Sequence, residues 1–477
     1  MTVPLDARVQ TPSAVRAAWL DALLAPERVA LIGASTDARK ISGRPLAYLD
    51  RWGFRGQVFP VNPTADVVQG HRPLRRIEDI DGPVDVAVIG TAAAHTVESV
   101  EQLGRLGCRT AVVLSSGWAE TGPDGAAAQR RLAAAARDSG VRVLGPNCLG
   151  VVSVHEGVPL TFTSALDSIE LTPGPIALVS QSGAVGSFLF SAAQREGIGI
   201  HSLFSTGNEA DLSSAELIAS LAAEPDVTVI AAYIEGTHDP VALESALNGA
   251  RADGTAVVLL PGGRTPSGSR AASAHTALPP VAALLMDMAQ GAGAVVANGM
   301  QDLLDKANAL ASTRPTGPRL GIVTISGGAG AVSADEAEAA GMTVPALDPR
   351  TRHDLQAIVP SFGSVDNPVD VTGAAVADPA LLGRVLDALA GGPGLDAVMV
   401  MLGNVSDGED ELVRALTRFA RTSALAVAVT WVGGSGRPRA ILNRAGVPTY
   451  DDPGRAIRSL AAGLPATAAA TARGEDA

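Results

Sequence analysis

The chain has 477 residues, of which 47% are hydrophobic and only 3% are aromatic. This length exceeds what one hydrophobic core supports, so we expect about three α/β domains of roughly 150 residues each. The formal net charge of −13 disfavours nucleic acid and anionic membrane surfaces as partners. Two cysteines are too few for a disulfide framework, and no apolar run is long enough to cross a membrane. We therefore expect a cytoplasmic protein.

Short β-branched runs alternate with alanine-rich helical stretches in the first third of the chain. The runs are RVALIG (28–33), QVFPVNP (57–63), VDVAVIG (84–90), TAVVLSSG (110–117) and VRVLGPN (141–147). Such alternation predicts βαβ units and a parallel sheet. Ligands of such sheets bind in the crevice beyond the carboxyl ends of the strands, so we expect a nucleotide-type site there.

The turn after the first run, GASTDARKISG, differs from the dinucleotide-binding fingerprint. Gly33 is followed by Ser35 rather than by a second glycine, and the second run ends in Asn62 and Pro63 where an NAD site would have a carboxylate. An NAD-dependent oxidoreductase is therefore disfavoured. Lys40 and two neighbouring arginines better suit a ligand with an extra phosphate, although a purely structural turn explains the glycine equally well.

An internal repeat organises the rest of the chain. The segment IALVSQSGAVG (176–186) aligns without gaps to LGIVTISGGAG (320–330), so Ser182 corresponds to Ser326. Two copies of one supersecondary plan predict two similar flavodoxin-like domains. The predicted domains are residues 1–160, 161–313 and 314–465, followed by a tail of residues 466–477 that we expect to be disordered.

The turn QSGAVG carries the first candidate site. Ser182 and Gly183 lie where a buried strand passes into a helix, which leaves unpaired N–H groups and the positive end of the helix dipole facing outward. Gly183 would let a phosphate approach the backbone, and the hydroxyls of Ser180 and Ser182 could donate to it. A serine that only caps the helix is the alternative.

A carboxylate and a histidine complete the candidate site. Glu235 ends the run TVIAAYIEG, at an edge that would face the same crevice as Ser182, and a carboxylate there can fix the tautomer of a histidine. An ion pair with an arginine would explain Glu235 as well. His275 lies in the segment from Pro261 to Pro280, whose small residues predict a mobile loop. It is either a nucleophile on a swinging arm or a surface histidine.

Cys148, in GPNCLG, is a weaker candidate for the nucleophile. No base lies beside it in the sequence, and a buried small apolar role is more typical of such a cysteine.

Many ordered motifs resemble those of the α subunits of the nucleoside-diphosphate-forming acyl-CoA synthetases, the superfamily that includes succinyl-CoA synthetase and the ADP-forming acetate–CoA ligases. The resemblance covers nearly the whole chain. Its motifs are VALIGAS, SSGWAETG (115–122), GPNCLG (145–150), SQSGA (180–184), STGNEADL (205–212), YIEG (233–236), GGR with AASAHT (262–276), NPVDVTG (367–373) and VPTYDDPGRAI.

The resemblance implies a Rossmann-like first domain that binds CoA, followed by two flavodoxin-like domains. Gly33, Ser35 and Lys40 would lie near the adenine and phosphate groups of CoA. Asn62 and Pro63 would lie beside its adenosine.

The resemblance also implies a stepwise, reversible reaction of an acid–thiol ligase. Acyl-CoA and phosphate would give an acyl phosphate and free CoA, the acyl phosphate would phosphorylate His275, and the loop would carry the phosphoryl group to ADP. Glu235 would hold the imidazole, and Ser182 with Gly183, supported by Ser180, would form the phosphate cradle. No metal ligands are expected within this chain.

The family's nucleotide site lies in an ATP-grasp module, for which this chain has no unassigned stretch. The resemblance therefore implies a separate ATP-grasp β subunit that binds ADP or ATP with Mg²⁺, in a heterotetramer whose substrate is a small carboxylic acid or its acyl-CoA. One departure is Ala277, which stands after His275-Thr276 where the family has glycine, and two prolines come after the next residue, Leu278. Nucleotide-independent acyl or carbamoyl transfer, or a non-catalytic CoA-binding subunit, are the alternatives on the same fold.

Overall fold

The computed structural model describes residues 16–167, 169–273, 278, 282–405 and 408–464. These residues form three consecutive units, each built on its own largely parallel sheet with helices on its faces. The α/β fold class predicted from the alternating runs is therefore confirmed.

The first unit is a five-stranded parallel sheet in the order β2-β1-β3-β4-β5. Its strands are β1 (Arg28–Ile32), β2 (Gln57–Val61), β3 (Val86–Ile89), β4 (Thr110–Val113) and β5 (Arg142–Leu144). Its helices are α1 (Ala18–Leu24), α2 (Arg44–Arg51), α3 (Ala93–Arg105) and α4 (Pro123–Ser139), with short 3₁₀ turns at Ile77–Asp79 and Ala119–Thr121. Strands β3 and β4 are buried along their whole length, as their almost entirely apolar sequences require in a sheet covered on both faces.

The second unit is a seven-stranded sheet in the order β12-β11-β10-β8-β9-β6-β7. Its strands are β6 (Gly150–Ser153), β7 (Val158–Thr161), β8 (Pro173–Ser180), β9 (Ile200–Ser205), β10 (Val229–Ile234), β11 (Ala256–Pro261) and β12 (Val295–Val296). Its helices are α5 (Gly183–Glu196), α6 (Ser214–Ala222), α7 (Pro240–Ala252), α8 (Pro266–Ser273), α9 (Ala282–Ala292) and α10 (Met300–Leu310), with a 3₁₀ turn at Ser164–Asp167.

The hairpin β6–β7 extends the second sheet rather than the first. Strand β6 pairs antiparallel with β9, and β7 pairs antiparallel with β6. The predicted boundary between residues 160 and 161 cuts through β7. We therefore propose a division between the first two units near residue 149. The predicted boundaries after residues 313 and 465 remain predictions.

The third unit is a five-stranded parallel sheet in the order β14-β13-β15-β16-β17. Its strands are β13 (Leu320–Thr324), β14 (Val369–Asp370), β15 (Ala397–Gly403), β16 (Ala426–Val432) and β17 (Thr449–Tyr450). Its helices are α11 (Gly327–Ala339), α12 (Pro349–Gln356), α13 (Ala374–Ala377), α14 (Pro379–Gly391), α15 (Glu409–Thr422), α16 (Arg437–Arg444) and α17 (Pro453–Ala461).

The internal repeat corresponds to a repeated architecture. The parallel strands of the second and third units follow the same spatial order, in which the first strand of the unit lies between the second and the third. Ser182 precedes α5 and Ser326 precedes α11 at equivalent turns. The prediction of two flavodoxin-like units is confirmed.

The predicted mobile loop from Pro261 to Pro280 contains a helix, which corrects part of that prediction. Residues 266–273 form α8, whose start is fixed by bonds from Ser269 N to Thr265 O and from Gly268 N to Thr265 Oγ1. Proline in the first turn and alanines further on favour this helix. The prediction of a mobile loop relied on the small residues of the whole segment and did not weigh this local preference. His275 and the tail of residues 466–477 lie outside the described residues.

Two further expectations concern the described ranges only. Within them, no helix combines the length and the apolar character that crossing a membrane requires. The same ranges contain no cluster of three or more histidine, cysteine, aspartate or glutamate side chains that could hold a metal ion.

A polar seam joins the second unit to the third. Asp305 of α10 is 3% exposed and accepts two hydrogen bonds of 2.7 Å from the Arg455 guanidinium of α17. Nearby, Asn443 accepts from Asn308 Nδ2 at 3.0 Å and donates to the carbonyl of Glu196 at 2.8 Å. Because a buried carboxylate needs a charged partner, this pair fixes how the two units meet.

Replacing Arg455 by methionine should destabilise the protein strongly, because Asp305 would stay buried without a counter-charge. We expect a loss of about 3 kcal/mol in the free energy of unfolding, measured by guanidinium chloride denaturation. Arg458→Met in the same helix is the control: its ion pair with Glu336 is largely exposed, and we expect a loss below about 1 kcal/mol. Equal losses in the two variants would contradict the role given to the seam.

Candidate functional site

The candidate site lies where the second sheet reverses its strand order. Strands β8 and β10 are neighbours, with Ser180 opposite Tyr233, and their carboxyl ends lead to Ser182 and Glu235. The structure therefore places Ser182 and Glu235 at the same edge of the sheet, although they are 53 residues apart in the sequence. Ligands of parallel sheets bind at such a reversal.

The N-terminus of α5 supplies donors without partners inside the helix. Ser182 is the N-cap, and its hydroxyl accepts from Val185 N at a long 3.4 Å. The N–H groups of Gly183 and Ala184 belong to the first turn, where helix geometry provides no acceptor. Both residues line a cavity of about 860 Å³. The arrangement suits an anion at this helix end.

Gly183 is packed closely against the chain that links the first two units. A Cβ atom at this position would lie 3.2 Å from Leu149 Cβ, a side chain of the link between the first two units. Any larger residue would push α5 away from that link and narrow the space in front of the helix.

Ser180 has a different role from the one predicted. Its side chain is completely buried, and its hydroxyl donates to the carbonyl of Ser182 at 2.7 Å. Thr324 makes the equivalent bond to the carbonyl of Ser326 at 2.9 Å in the third unit. Both copies of the repeat contain this bond. We therefore infer that the Ser180 hydroxyl supports the turn and does not contact a ligand.

Glu235 is half-buried, and its carboxylate is held by one hydrogen bond in a space that a glycine leaves open. One carboxylate oxygen accepts from Tyr233 Oη at 2.8 Å. Gly262, at the end of the neighbouring strand, leaves room for it, because a Cβ atom there would lie 2.9 Å from Glu235 Cγ and 3.0 Å from Tyr233 Oη. The carboxylate is therefore oriented at the edge of the cavity that it lines.

Gln181 also lines the cavity, and the sequence analysis did not predict a role for it, although the motif SQSGA contains it. Its Oε1 accepts from Glu235 N at 2.6 Å and from Gly236 N at 3.0 Å. Its Nε2 donates to Gly236 O at 2.7 Å and to Glu209 Oε1 at 2.9 Å. The side chain thus fixes the backbone that carries Glu235.

Glu209, the acceptor of the Gln181 amide, was not predicted from the sequence either. It is 9% exposed and has a φ of 52°, a left-handed conformation that glutamate adopts rarely. Burial raises its pKa, while hydrogen bonds from Ser214, Gln181 and Thr206 act in the opposite direction. The signal in the sequence was the polar run GNEAD directly after a buried strand.

The first unit forms the opposite wall of the cavity, through the ends of β4 and β5. Glu120 and Asn147 line it together with Asn208 of the second unit. Asn208 Nδ2 donates to Glu120 Oε2 at 2.6 Å, so the two units are bonded to each other at the cavity wall. Burial disfavours the charge of Glu120, but this bond and those from the N–H groups of Trp118 and Gly117 outweigh it and lower its pKa.

Cys148 lines the same cavity but is unsuited to nucleophilic attack. The residue is 3% exposed, and burial raises the pKa of its thiol to about 12. Almost none of it is thiolate near neutral pH.

The remaining predicted residues form a second cluster at the carboxyl ends of β1 and β2. Gly33 has a φ of 80°, and Asn62 Nδ2 donates to Ala34 O at 2.9 Å, which joins the two turns. Ser35 Oγ accepts from Asp37 N at 3.1 Å, while Lys40 and Pro63 are exposed. All five residues lie on the turns that follow β1 and β2, and none lines the cavity in front of α5.

Arg44 connects the two clusters. It begins α2, just after the turn that contains Lys40, and it lines the cavity. Its guanidinium donates to Tyr48 Oη at 2.6 Å and to Asp167 at 3.0 Å. Arg44 thus places a cation between the turn that contains Lys40 and the cavity in front of α5, although Asp167 balances part of its charge.

Three families match consecutive parts of the chain. Residues 27–153 match the CoA binding domain, residues 173–310 the succinyl-CoA ligase like flavodoxin domain, and residues 320–381 the Ligase-CoA domain. The order of the three matches is the order of the three sheets.

Curated relatives and a solved structure resemble nearly the whole chain. Subunit alpha of acetate–CoA ligase [ADP-forming] I from Pyrococcus furiosus is 31% identical over 465 residues, 93% of this chain and 96% of that protein. Acetate–CoA ligase [ADP-forming] I from Archaeoglobus fulgidus is 30% identical over 445 residues, 92% of this chain but 63% of that protein.

The solved structure is the dinucleotide forming acetyl-coenzyme A synthetase 1 of Ca. Korarchaeum cryptofilum in complex with phosphate and ADP. It superposes with a TM-score of 0.84 at 30% identity and covers 95% of this chain and 97% of that one. The chain therefore belongs to the family of nucleoside-diphosphate-forming acyl-CoA synthetases, which are acid–thiol ligases.

Proposed function

We propose that this chain is the α subunit of a nucleoside-diphosphate-forming acyl-CoA synthetase that works through a phosphohistidine at His275. The whole enzyme would reversibly convert acyl-CoA, phosphate and ADP into a carboxylic acid, CoA and ATP. The observation that supports this most is the cavity of about 860 Å³, which joins a CoA-binding type of unit to the N-terminus of α5 and to Glu235.

In the first step, a phosphate held at α5 would attack the thioester carbonyl of acyl-CoA. The new bond joins a phosphate oxygen to the acyl carbon, and the carbon–sulfur bond breaks to release the CoA thiolate, which takes up a proton. The N–H groups of Gly183 and Ala184 and the hydroxyl of Ser182 would hold the phosphate charge. The first unit would hold CoA, with Gly33, Ser35, Lys40, Asn62 and Pro63 around its nucleotide part.

In the second step, an imidazole nitrogen of His275 would attack the phosphorus of the acyl phosphate and release the carboxylate. Glu235 would accept a hydrogen bond from the other ring nitrogen and so stabilise the positive charge that develops on the ring. The chain geometry supports this pairing: α8 starts shortly after Gly262, which contacts Glu235, and it ends two residues before His275.

Incubation of the full chain with acyl-CoA and inorganic phosphate should leave an acid-labile phosphate on His275, detectable by mass spectrometry. His275→Ala should abolish the signal, and Glu235→Gln should slow its appearance on the order of a hundredfold, because the ring would lose the carboxylate that stabilises its positive charge. A panel of acetyl, branched and aromatic acyl-CoAs covers the unknown acyl group. No phosphate on His275 with any of them would reject the proposal.

Ser182→Ala should weaken the binding of inorganic phosphate to the chain. Loss of one hydrogen bond to a charged ligand predicts roughly tenfold weaker binding, measured by isothermal titration calorimetry. Ser213→Ala is the matched control, since Ser213 also caps a helix of the second unit but does not line the cavity. Equal phosphate affinity in the two variants would remove Ser182 from the cradle.

We also propose a separate ATP-grasp β subunit that binds ADP or ATP with Mg²⁺, in a heterotetramer with two copies of each chain. Two observations support it: the matched P. furiosus protein is named subunit alpha, and the longer A. fulgidus relative exceeds this chain by about the size of a further module. The described residues form three sheets that belong to the CoA-binding and ligase-type units.

With acyl-CoA, phosphate and ADP, the chain alone should accumulate phosphohistidine but form no ATP. Addition of an ATP-grasp partner from the same genome should restore ATP formation, and light scattering should give the mass of two copies of each chain. Rapid ATP formation by the chain alone would contradict this division of labour.

A further inference from the structure

The backbone that carries Glu235 depends on a hydrogen-bonded relay that starts at Glu209. Glu209 Oε1 accepts from Gln181 Nε2 at 2.9 Å, and Gln181 Oε1 accepts from the N–H groups of Glu235 and Gly236 at 2.6 and 3.0 Å. We define the positioning relay as Glu209, Gln181 and the Glu235–Gly236 backbone.

The Gln181 amide has no spare hydrogen-bonding capacity. An amide side chain offers two N–H donors and two oxygen lone pairs. All four are used, since Nε2 also donates to Gly236 O at 2.7 Å. If the amide turned over, its oxygen would face the Glu209 carboxylate and its NH₂ would face two N–H groups. The carboxylate therefore selects the orientation that supports Glu235.

Glu209 is itself fixed to both units. Its Oε1 accepts from Thr206 Oγ1 at 2.8 Å and from the hydroxyl of Ser214. The flanking backbone runs along the end of the first sheet, where Asn208 N donates to Pro146 O and Ala210 N donates to Gly145 O, both at 2.9 Å. The relay thus starts from a segment that is fastened to the first unit.

The third unit shows what this turn looks like without the relay. Ile325 occupies the position of Gln181 in the repeat, and its N–H still donates to Met401 O, as that of Gln181 donates to Tyr233 O. The turn therefore forms without an amide side chain. The relay is an addition to the second unit, where Glu235 lies.

We propose that Glu209 is a positioning residue for Glu235 and acts through the amide of Gln181. Glu209 would not touch the substrate; it would hold the Glu235–Gly236 backbone so that the carboxylate of Glu235 meets the imidazole of His275. The part that concerns His275 rests on the proposed function, whereas the backbone part does not.

Hydrogen–deuterium exchange of the full chain at single-residue resolution tests the backbone part. Glu209→Gln keeps the size of the side chain but removes its charge, and exchange at the amides of Glu235 and Gly236 should rise about tenfold, because bonds to a charged acceptor are roughly twice as strong as neutral ones. Amides in the middle of β10 should not change. Gln181→Met, which breaks the relay at its centre, should give the same pattern.

Glu224→Gln is the matched control, since Glu224 is 5% exposed, lies in the same unit and pairs with Arg16 instead of Gln181. It should leave the Glu235 and Gly236 amides unchanged. Unchanged exchange at these amides in Glu209→Gln would overturn the proposal. So would an equal rise along the whole of β10, because that would show a general loss of stability.

A double-mutant cycle on the rate of His275 phosphorylation tests the link to catalysis. Glu209→Gln should slow phosphorylation about tenfold in the native background but less than about twofold beside Glu235→Gln, because residues that act through one another are not additive. Additive effects would overturn the link. If the native chain gave no phosphohistidine, the proposed function would fail while the exchange data still decided the role of Glu209.

Discussion

The first turn of α5 is the constraint on which the site depends. Its N–H groups need an acceptor, and the helix cannot supply one. The surrounding chain keeps the place in front of them open: Gly183 has just enough room beside Leu149, and the hydroxyl of Ser180 turns inward to the Ser182 carbonyl. The walls of the cavity then come from the strand ends of two different sheets. A phosphate is the simplest group that satisfies the exposed donors.

The positions of Ser182, Gly183 and Glu235 at the edge of the cavity could be predicted from the sequence, because these positions follow from local rules. A glycine turn after a buried strand and an acid at a strand end both indicate the carboxyl edge of a parallel sheet. Gln181 and Glu209 could not be predicted in this way, since their bonds join positions 28 and 54 residues apart and depend on how the units pack. For the same reason the sequence suggested a ligand contact for Ser180, whose buried bond to its neighbour shows only in three dimensions.

The repeat separates what the fold requires from what the site requires. Both copies have the strand order, the serine before the helix and the hydroxyl that bonds to the serine carbonyl. Only the second copy has an amide at position 181, where the third has Ile325. Within one chain, the third unit thus serves as a natural reference in which the same backbone turn lacks the relay to Glu235.

The short link between the first and second sheets has a consequence for ligand entry. Only residues 145–149 connect β5 of the first sheet to β6 of the second, and β6 is paired with β9 along its length. Moving the two units apart at this link would have to break the backbone bonds from Asn208, Ala210 and Leu212 to the chain at residues 143–146. It would also break the Asn208–Glu120 bond. We therefore expect a ligand to enter and leave through the open mouth of the cavity, because parting of the two units would cost these bonds.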